Sequence, residues 1–259
     1  MKKDKIKLYT AESKSSPEQI MKQYEIDGFK IIYNSEIKDK VANLRKKFIS
    51  VFNTSSLANG SQEITNDEDI CKLYIENKPA WIAAYDSIRL IPELYALAGS
   101  PIIIDALKTY GVVEPVVAKP SIAVRIDMPE GQGSTLFPPH QDYPYNKGSD
   151  NGIVVWIPLQ DTDVKLGCLK FSPRSHEAGF IKGITPKVNN LEGMILSDDY
   201  EFEDAPMLEG EAMLFSMFLV HKSGVNSSKS SIRWSVQIRY NDIEDSDFAK
   251  RGFKPHENP

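Results

Sequence analysis

The stretch that decides the fold is Ile232-Arg233-Trp234-Ser235-Val236-Gln237-Ile238-Arg239-Tyr240, in which apolar and polar residues alternate without a break. Side chains of a β-strand point to opposite faces in turn, so the stretch predicts one strand with an apolar face and a polar face. In a sheet with one wet side, the polar face lies in water. The alternative is that the polar face points into a barrel and helices cover the apolar face.

The rest of the second half of the chain also predicts short strands. From about residue 115, β-type runs are separated by Gly, Pro, Asn and Asp, and the clearest are 121–126, 153–159, 168–171, 212–218 and 232–240. Short strands that follow a helical segment predict a β-sandwich or barrel with helices packed on one side.

The first half of the chain predicts mainly helices. Ser16-Pro17-Glu18-Gln19 has the features of a helix start, and that helix should end near Gly28. A short strand is predicted over residues 29–33, followed by a helix from Ser35 to about residue 52. Another helical region covers residues 92–110, where Pro101 predicts a break.

The composition is that of an ordinary globular protein. The chain has 259 residues, of which 41% are hydrophobic and 26% charged, with a net charge of −5. This acidic balance argues against a nucleic-acid partner, because phosphate binding needs a basic surface. The longest apolar run, 212–220, is too short to cross a bilayer, and no secretory signal is visible. Cys71 and Cys168 form no CxxC pair, so we expect a cytoplasmic protein without disulfides or membrane partners.

The histidines suggest a metal site. His140 and Asp142 stand at positions i and i+2, so on a strand they would point to the same face and could share one ion, although a surface pair has the same spacing. The third ligand could be His176, His221 or His256. His176 lies in a turn-like loop and His256 in the polar tail, whereas His221 ends an apolar run. We therefore predict a triad of two histidines and one carboxylate, the set typical of iron(II) oxygenases.

The alternating strand adds an anion-binding pair to this site. Residues 224–230 are rich in turn formers, so the strand after them should return beside His221. If its polar face points inward, Arg233 lies near the metal. The guanidinium fork of Arg233 suits a carboxylate, and the Ser235 hydroxyl could bind the same group.

Several motifs occur together in a familiar order. They are Pro139-His140-Gln141-Asp142, Trp156-Ile157-Pro158-Leu159, Gly167-Cys168-Leu169 with Ser172-Pro173-Arg174-Ser175-His176, and His221-Lys222-Ser223-Gly224 followed by Arg233-Trp234-Ser235. By these motifs the sequence resembles the phytanoyl-CoA dioxygenase-like branch of the iron(II)/2-oxoglutarate oxygenases.

The resemblance implies a fold and its organisation. The expected fold is mainly β with helices (α+β), a double-stranded β-helix of the jelly-roll or cupin-like type, with the N-terminal helices packed on one sheet. We expect a single oxygenase domain over 1–259, with a mainly helical part over 1–114, a jelly-roll catalytic core over 115–241 and a tail over 242–259.

The resemblance also implies roles for individual residues. The matched iron ligands are His140, Asp142 and His221, and Arg233 matches the arginine that binds the far carboxylate of 2-oxoglutarate. His176 matches a loop residue. The positions that match the lining of the cosubstrate pocket are Gln141, Trp156, Ser223 and Ser235. Trp156 is explained equally well as a buried strand tryptophan, and Arg125 could face either the pocket or the surface.

The implied activity is that of an iron(II)- and 2-oxoglutarate-dependent dioxygenase. It would use O2 to hydroxylate a small organic molecule, with release of succinate and CO2; desaturation or ring formation stays open. Asp142 argues against halogenation, because a small residue replaces this carboxylate in the halogenating relatives. Two alternatives are a jelly-roll module that binds a sugar or metabolite without redox chemistry, and a cupin-like metalloenzyme. Arg233 and Ser235 favour the oxygenase, because neither alternative needs an anchor for 2-oxoglutarate. The oligomeric state is not predicted.

Overall fold

The structure is a computed structural model, and it describes residues 24–118, 122–131, 136–183 and 195–255. Most of the helix predicted from Ser16 lies outside these ranges, as does His256. Residues 24–27 are helical and end before Gly28, where that helix was predicted to end.

The described residues form two antiparallel sheets, and the larger one contains six strands. They are β1 (Phe29–Tyr33), β2 (Pro115–Val117), β3 (Ala123–Asp127), β4 (Ile153–Pro158), β7 (Glu211–Ser216) and β9 (Arg233–Asp242). Their order is β1-β7-β4-β9-β2, and β3 also pairs with β9. The smaller sheet has the order β6-β5-β8, with β5 (Leu169–Phe171), β6 (Glu203–Ala205) and β8 (His221–Lys222).

Five helices connect β1 to β2. They are α1 (Ser35–Ala58), α2 (Asp67–Glu76), α3 (Lys78–Ile88), α4 (Pro92–Ala98) and α5 (Pro101–Thr109). The Asn34 side chain caps α1 by accepting a hydrogen bond from the Glu36 amide at 2.7 Å. Two short helices occur later, α6 (Tyr143–Asn146) and α7 (Ser246–Lys250). The break predicted at Pro101 separates α4 from α5, and α1 continues to Ala58, beyond the predicted end at about residue 52.

The main core lies between these helices and the outer face of the larger sheet. Trp234 of β9 is fully buried there, with ring centroids 5.8 Å from Phe48 and 6.1 Å from Phe52 of α1. The other apolar residues of this face of β9, Val236, Ile238 and Tyr240, belong to the same core. Removing an aromatic side chain from such a core costs about 3–5 kcal/mol.

A second core lies between the inner faces of the two sheets. Phe29 of β1 packs against Phe171 of β5 at 4.3 Å between ring centroids, and Trp156 and Phe215 belong to the same cluster. The polar face of β9 also points inward, and its residues Arg233 and Ser235 are almost completely buried. The predicted jelly roll of mixed α+β class, with helices on one sheet, is therefore confirmed.

The boundaries differ from the predictions in small ways. The strand predicted at 29–33 is correct, and it pairs with β7, so the N-terminal part contributes one strand to the larger sheet. The jelly roll therefore includes a strand from the part of the chain before residue 115. The predicted division into a helical part over 1–114 and a jelly-roll core over 115–241 stays a prediction. Within the described ranges, no single helix is long and apolar enough to cross a membrane; only the bent pair of Lys78–Ile88 with Pro92–Thr109 would reach that length and composition.

Candidate metal centre

The three predicted ligands lie together at one end of the barrel. His140 and His221 face each other as an antiparallel pair, and each backbone amide donates to the other's carbonyl at 3.0 Å. Their rings are 4.2 Å apart between centroids. The ligand atoms of the two histidines and of Asp142 all lie within 4.8 Å of one another, and all three residues are buried.

Asp142 reaches this site by a different route from the expected one. The sequence predicted that His140 and Asp142 share a strand, but His140 forms only isolated bridges and Asp142 has a helical backbone, with φ −81° and ψ −21°. The reason is local: Pro144 in the first turn of α6 favours a helix immediately after Asp142. The side-chain amide of Asn146 donates a hydrogen bond to the backbone carbonyl of Asp142 at 2.9 Å and stabilises this turn.

Both histidines are oriented by backbone carbonyls. Nδ1 of His140 lies 2.8 Å from the Pro138 carbonyl oxygen, and Nδ1 of His221 lies 3.0 Å from that of Leu219. A carbonyl can only accept, so Nδ1 carries the proton on each ring and Nε2 keeps a free lone pair. Each Nε2 points toward Asp142, at 4.0 Å for His140 and 3.9 Å for His221. Metal-binding histidines are usually held in this way, with the ring nitrogen that does not bind the metal donating to a carbonyl or carboxylate.

The Asp142 carboxylate divides its two oxygens between different tasks. Oδ1 accepts a hydrogen bond from Nη2 of Arg239 at 2.9 Å. Oδ2 is buried and has no hydrogen-bond partner among the described residues. A buried carboxylate oxygen without a partner is costly unless a cation binds it, so Oδ2 is the atom that fits a metal ion.

The protonation states suit metal binding. Burial and the neighbouring His221 lower the pKa of His140 to about 3, and burial also lowers the pKa of His221. Burial raises the pKa of Asp142, but Arg239 and the two histidines outweigh it and hold this pKa below its usual range. At neutral pH the site therefore presents two neutral imidazoles and one carboxylate, the donor set of the facial triad.

Arg233 lies deeper in the barrel and already has a carboxylate partner. Its Nε donates to Oδ2 of Asp127 at 3.1 Å, its Nη2 binds the same oxygen, and its Nη1 donates to the Gly167 carbonyl. The other oxygen of Asp127 accepts from Arg125 at 2.9 Å. Arg233 is 2% exposed and is not among the described residues that line the neighbouring cavity. Its predicted role as cosubstrate anchor stays a prediction.

Two of the predicted pocket residues offer unused hydrogen-bonding atoms. Ser235 Oγ and Trp156 Nε1 are buried and have no partner among the described residues. They belong to paired strands, because Trp156 lies opposite Gln237 and Pro158 opposite Ser235 in the β4–β9 register. Neither residue is among the described residues that line the cavity beside the triad, so their predicted contact with 2-oxoglutarate stays a prediction.

Ser223 and Gln141 have different positions. Ser223 lines the cavity, and its Oγ accepts from the Phe137 amide at 3.0 Å. The Gln141 amide donates to the carbonyls of Gly179 and Phe218, at 2.7 and 2.6 Å, and accepts from Ile181 at 2.8 Å. Because all of these bonds are to backbone, Gln141 ties loops together, and its predicted contact with the cosubstrate has no support from this geometry.

Two glycines of the matched motifs allow the backbone around Gly167 to approach the backbone around Gly224 closely. A Cβ atom on Gly224 would lie 2.1 Å from the Cys168 carbonyl oxygen. Gly167 has φ +84°, and a Cβ there would lie 2.7 Å from the Asn226 amide nitrogen. This close approach brings the Gly167 carbonyl to Arg233, so the two motifs meet at one place.

His176 does not belong to the group of converging ligand atoms, in agreement with the prediction that it is a loop residue and not a ligand. Its Nε2 lies 2.9 Å from the Glu25 carbonyl oxygen, and a Cβ added to Gly28 would lie 2.3 Å from its ring. His176 therefore joins the loop after β5 to the chain before β1. Cys168 is a buried core residue, also as predicted.

A cavity of about 340 Å³ opens beside the triad. Its lining includes Tyr145 and Asn146, which the sequence did not single out as site residues, and Arg239. Because Arg239 shares one face of the alternating strand with Arg233 and Ser235, the sequence also offers it, with Arg125, as an alternative to Arg233 for the cosubstrate anchor. Tyr145 and Asn146 gave no such signal, since their position depends on the short helix after Asp142.

A β-barrel with a buried His-Asp-His triad beside an open cavity has the architecture of a non-haem iron oxygenase. The profile of the family Phytanoyl-CoA dioxygenase (PhyH) matches residues 104–234. Since this match covers half of the chain, the protein belongs to the phytanoyl-CoA dioxygenase family. Membership and the triad together confirm the prediction of iron(II) and 2-oxoglutarate as cofactors.

Individual relatives show how far the likeness extends. The chain is 30% identical over 149 residues to Phytanoyl-CoA dioxygenase domain-containing protein 1 of Danio rerio, which covers 54% of this chain and 50% of that protein. It is 29% identical over 111 residues to Methylphosphonate hydroxylase of Gimesia maris, covering 43% of this chain and 41% of that one. This chain thus spans about half the length of the curated relatives that it matches, or less.

Among solved structures, the fold is similar to that of the epimerase SnoN in complex with Fe3+, alpha ketoglutarate and nogalamycin RO. The TM-score is 0.59 at 18% sequence identity, over 88% of this chain and 84% of that chain. At this level of identity the likeness shows a shared fold.

Proposed function

We propose that this protein is an iron(II)- and 2-oxoglutarate-dependent dioxygenase that hydroxylates a small organic molecule, with release of succinate and CO2. The observation that carries the proposal is the buried triad, with both imidazole Nε2 atoms unprotonated and Asp142 Oδ2 without a partner. O2 would be the oxidant: one of its oxygen atoms would enter the substrate and the other succinate, while 2-oxoglutarate would supply two electrons and lose CO2. Iron(II) held by the triad would supply the redox chemistry that activates O2.

The residues of the chain would supply position, charge and a sheltered cavity. His140, His221 and Asp142 would hold the metal on one face, while Arg239 keeps the second oxygen of Asp142 occupied. Ser235, Trp156 and Ser223 would contact 2-oxoglutarate, and its far carboxylate would bind at the arginines around Asp127, with Arg233 as the predicted anchor. Apolar side chains of the cavity, among them Val124, Phe137 and Leu169, would exclude water from the reacting carbon.

The size of the cavity favours a small substrate. Ligand pockets commonly measure about 300–1,000 Å³, and the cavity of about 340 Å³ that the described residues form is at the lower end of that range. It must also admit part of 2-oxoglutarate. The absence of nucleic-acid and membrane partners and the cytoplasmic location stay predictions from the sequence.

The test combines cosubstrate binding with product formation. The purified protein is loaded anaerobically with iron(II), and its melting temperature and visible absorption are followed as 2-oxoglutarate is added. A panel of small molecules is then screened in air for succinate formation, and product mass distinguishes hydroxylation from desaturation or ring formation. His221→Ala is the variant that should lose both signals, and His176→Ala is its matched control.

The two alternatives give different results. A sugar- or metabolite-binding module would be stabilised by its ligand without iron and would form no succinate. A cupin-like metalloenzyme would bind the metal but show no response to 2-oxoglutarate. In both cases the fully iron-loaded protein would not respond to 2-oxoglutarate, and that result would overturn the proposal.

A further inference from the structure

The wall of the cavity beside the triad is unusually rich in positive charge. The charged side chains among its described lining residues are Arg89, Arg125, Arg239 and one carboxylate, Asp142. The carboxylate is itself a candidate metal ligand. A cavity that must bind only a neutral molecule gains nothing from three guanidinium groups, whose desolvation costs free energy.

The first arginine cluster is balanced by 2-oxoglutarate. Asp127 is shared between Arg125 and Arg233, so this one buried carboxylate binds two guanidinium groups. Their natural counterion is the far carboxylate of 2-oxoglutarate, whichever of the two arginines makes the closer contact.

The second cluster keeps a surplus after the cosubstrate has bound. Iron(II) brings two positive charges and Arg239 one, whereas Asp142 and the near carboxylate of 2-oxoglutarate bring one negative charge each. One positive charge therefore remains beside the reaction site. Arg89 does not add to it, because it is half-exposed and lies 3.8 Å from Asp86.

Arg239 also has donors to spare. Its described contacts, with Asp142 at 2.9 Å and with Gln237 at 3.2 Å, both use Nη2. Its Nε is buried and has no partner among the described residues, and the same holds for the Tyr145 hydroxyl in the same wall. The Arg239 side chain is 15% exposed, so the cavity reaches it.

We propose that the substrate carries one anionic group, a carboxylate or a phosphorus oxyanion, which binds Arg239 through its unused N–H donors and accepts a further hydrogen bond from Tyr145. This inference rests on the proposed function, because the surplus charge requires iron and 2-oxoglutarate in the site. Arg239 thereby holds Asp142 with one edge and the substrate anion with the other.

The test uses simple probes on the enzyme loaded anaerobically with iron(II) and saturating 2-oxoglutarate. Propionate, inorganic phosphate and the uncharged analogue propionamide are titrated separately, and binding is followed by calorimetry and by the shift of the iron–2-oxoglutarate absorption band. Saturating 2-oxoglutarate prevents the anions from occupying the cosubstrate site. We expect propionate or phosphate to bind and propionamide to bind at least about tenfold more weakly, since hydrogen bonds between charged groups exceed one power of ten in affinity.

Three variants locate the anion. Arg239→Gln should weaken anion binding at least about tenfold, while the absorption band with 2-oxoglutarate is retained. Arg239→Lys, which keeps the charge, should restore part of the affinity. Arg89→Gln is the matched control and should change the affinity by less than about threefold, because its charge is exposed and paired.

The outcomes separate the two proposals. If the band forms but propionamide binds as well as propionate, or if Arg239→Gln leaves anion affinity unchanged, this inference is wrong and the proposed function stands. If no band forms with iron and 2-oxoglutarate, the proposed function fails, and the anion site fails with it.

Discussion

The two ends of the inward face of β9 carry the same residue in different surroundings. Arg233, at the start of the strand, is 2% exposed, and its guanidinium donates hydrogen bonds to the Asp127 carboxylate and the Gly167 carbonyl. Arg239, six positions later, also binds a carboxylate, that of Asp142, but lines the cavity and leaves its Nε without a partner. The first end is closed by the protein's own groups, and the second is left open.

The difference in surroundings indicates that the Asp127–Arg233 pair stabilises the fold, whereas the Asp142–Arg239 pair belongs to the metal site. The Asp127–Arg233 pair is taken out of water on all sides, so breaking it leaves an uncompensated buried charge. Asp142 has one oxygen bound by Arg239 and the other available, which suits a ligand that must bind a metal ion. We therefore expect changes at the Asp142 end to affect activity first, and changes at the Asp127 end to affect stability first.

The largest expected effect comes from removing the triad. His140→Ala, Asp142→Ala and His221→Ala should each lower 2-oxoglutarate turnover at least about a thousandfold, because a bound metal contributes several kcal/mol to catalysis. Succinate formation and the iron content after desalting measure the effect. The matched variant His176→Ala should keep both. The choice of His221 would be wrong if His176→Ala lost the metal and His221→Ala retained it.

The second effect is on stability, at the closed end. Asp127→Asn should lower the free energy of unfolding by about 3–5 kcal/mol, because Arg233 loses its buried partner. Asp142→Asn in the metal-free protein is the comparison and should cost less, since Arg239 is reached by the cavity. Urea unfolding of both variants measures the difference. Equal losses would mean that the two carboxylate–arginine pairs do not differ in the way that their burial indicates.

The contribution of Asp127 to stability should depend on pH, and Asp127→Asn tests this dependence. Burial raises the pKa of Asp127, but Arg233 and Arg125 outweigh it, and the net pKa is lowered. A lowered pKa stabilises the fold above the unfolded value of about 3.9, and this contribution disappears as the pH falls toward the folded value. Wild-type stability should therefore decrease more between about pH 6 and about pH 3 than the stability of Asp127→Asn.

The sequence predicted the open end less completely than the closed one. The strict alternation of β9 separated its apolar residues from its polar ones but left open which face points into the barrel. The structure places the polar face inside and the apolar face against the helices. The i, i+2 spacing of His140 and Asp142 and the position of His221 at the end of an apolar run predicted that the three residues lie together, and they do, although Asp142 reaches the site through a helical turn. What a linear pattern does not contain is which carboxylate each arginine meets. Asp127 and Asp142 are brought to β9 by the β3 pairing and by α6, and both depend on tertiary structure.

The third prediction concerns the cosubstrate anchor. Arg233→Ala should weaken 2-oxoglutarate binding by about 1.5–3 kcal/mol, since that is the range for hydrogen bonds to charged groups, while iron binding survives. Arg233→Lys keeps the charge but loses the planar fork, so it should restore only part of the affinity. The measurement is an anaerobic titration of the iron-loaded protein, after unfolding curves show that the variants are folded.

Arg125→Ala is the informative partner of that experiment. Arg125 is the second arginine that binds Asp127, and it also lines the cavity. If Arg233→Ala leaves the affinity for 2-oxoglutarate unchanged and Arg125→Ala lowers it, the anchor is Arg125, and Arg233 has only the structural role that its contacts with Asp127 and Gly167 show.

The smallest effect is expected at Ser235, between the two ends. Its hydroxyl is fully buried and has no partner among the described residues. Such a group costs free energy in the metal-free protein, so Ser235→Ala should leave the stability unchanged or raise it. If the hydroxyl binds 2-oxoglutarate, the same variant should weaken cosubstrate binding by about 0.5–1.5 kcal/mol.

Ser56→Ala is the control, and its expected effect on stability has the opposite sign. The Ser56 hydroxyl is equally buried, but it donates to the Gln62 carbonyl at 2.6 Å, far from the barrel interior. That control should lose about 1 kcal/mol of stability and keep its affinity for 2-oxoglutarate. Chemical unfolding and cosubstrate titration of both variants give four values, and a Ser235→Ala protein that loses stability but binds 2-oxoglutarate normally would assign Ser235 to the core instead of the site.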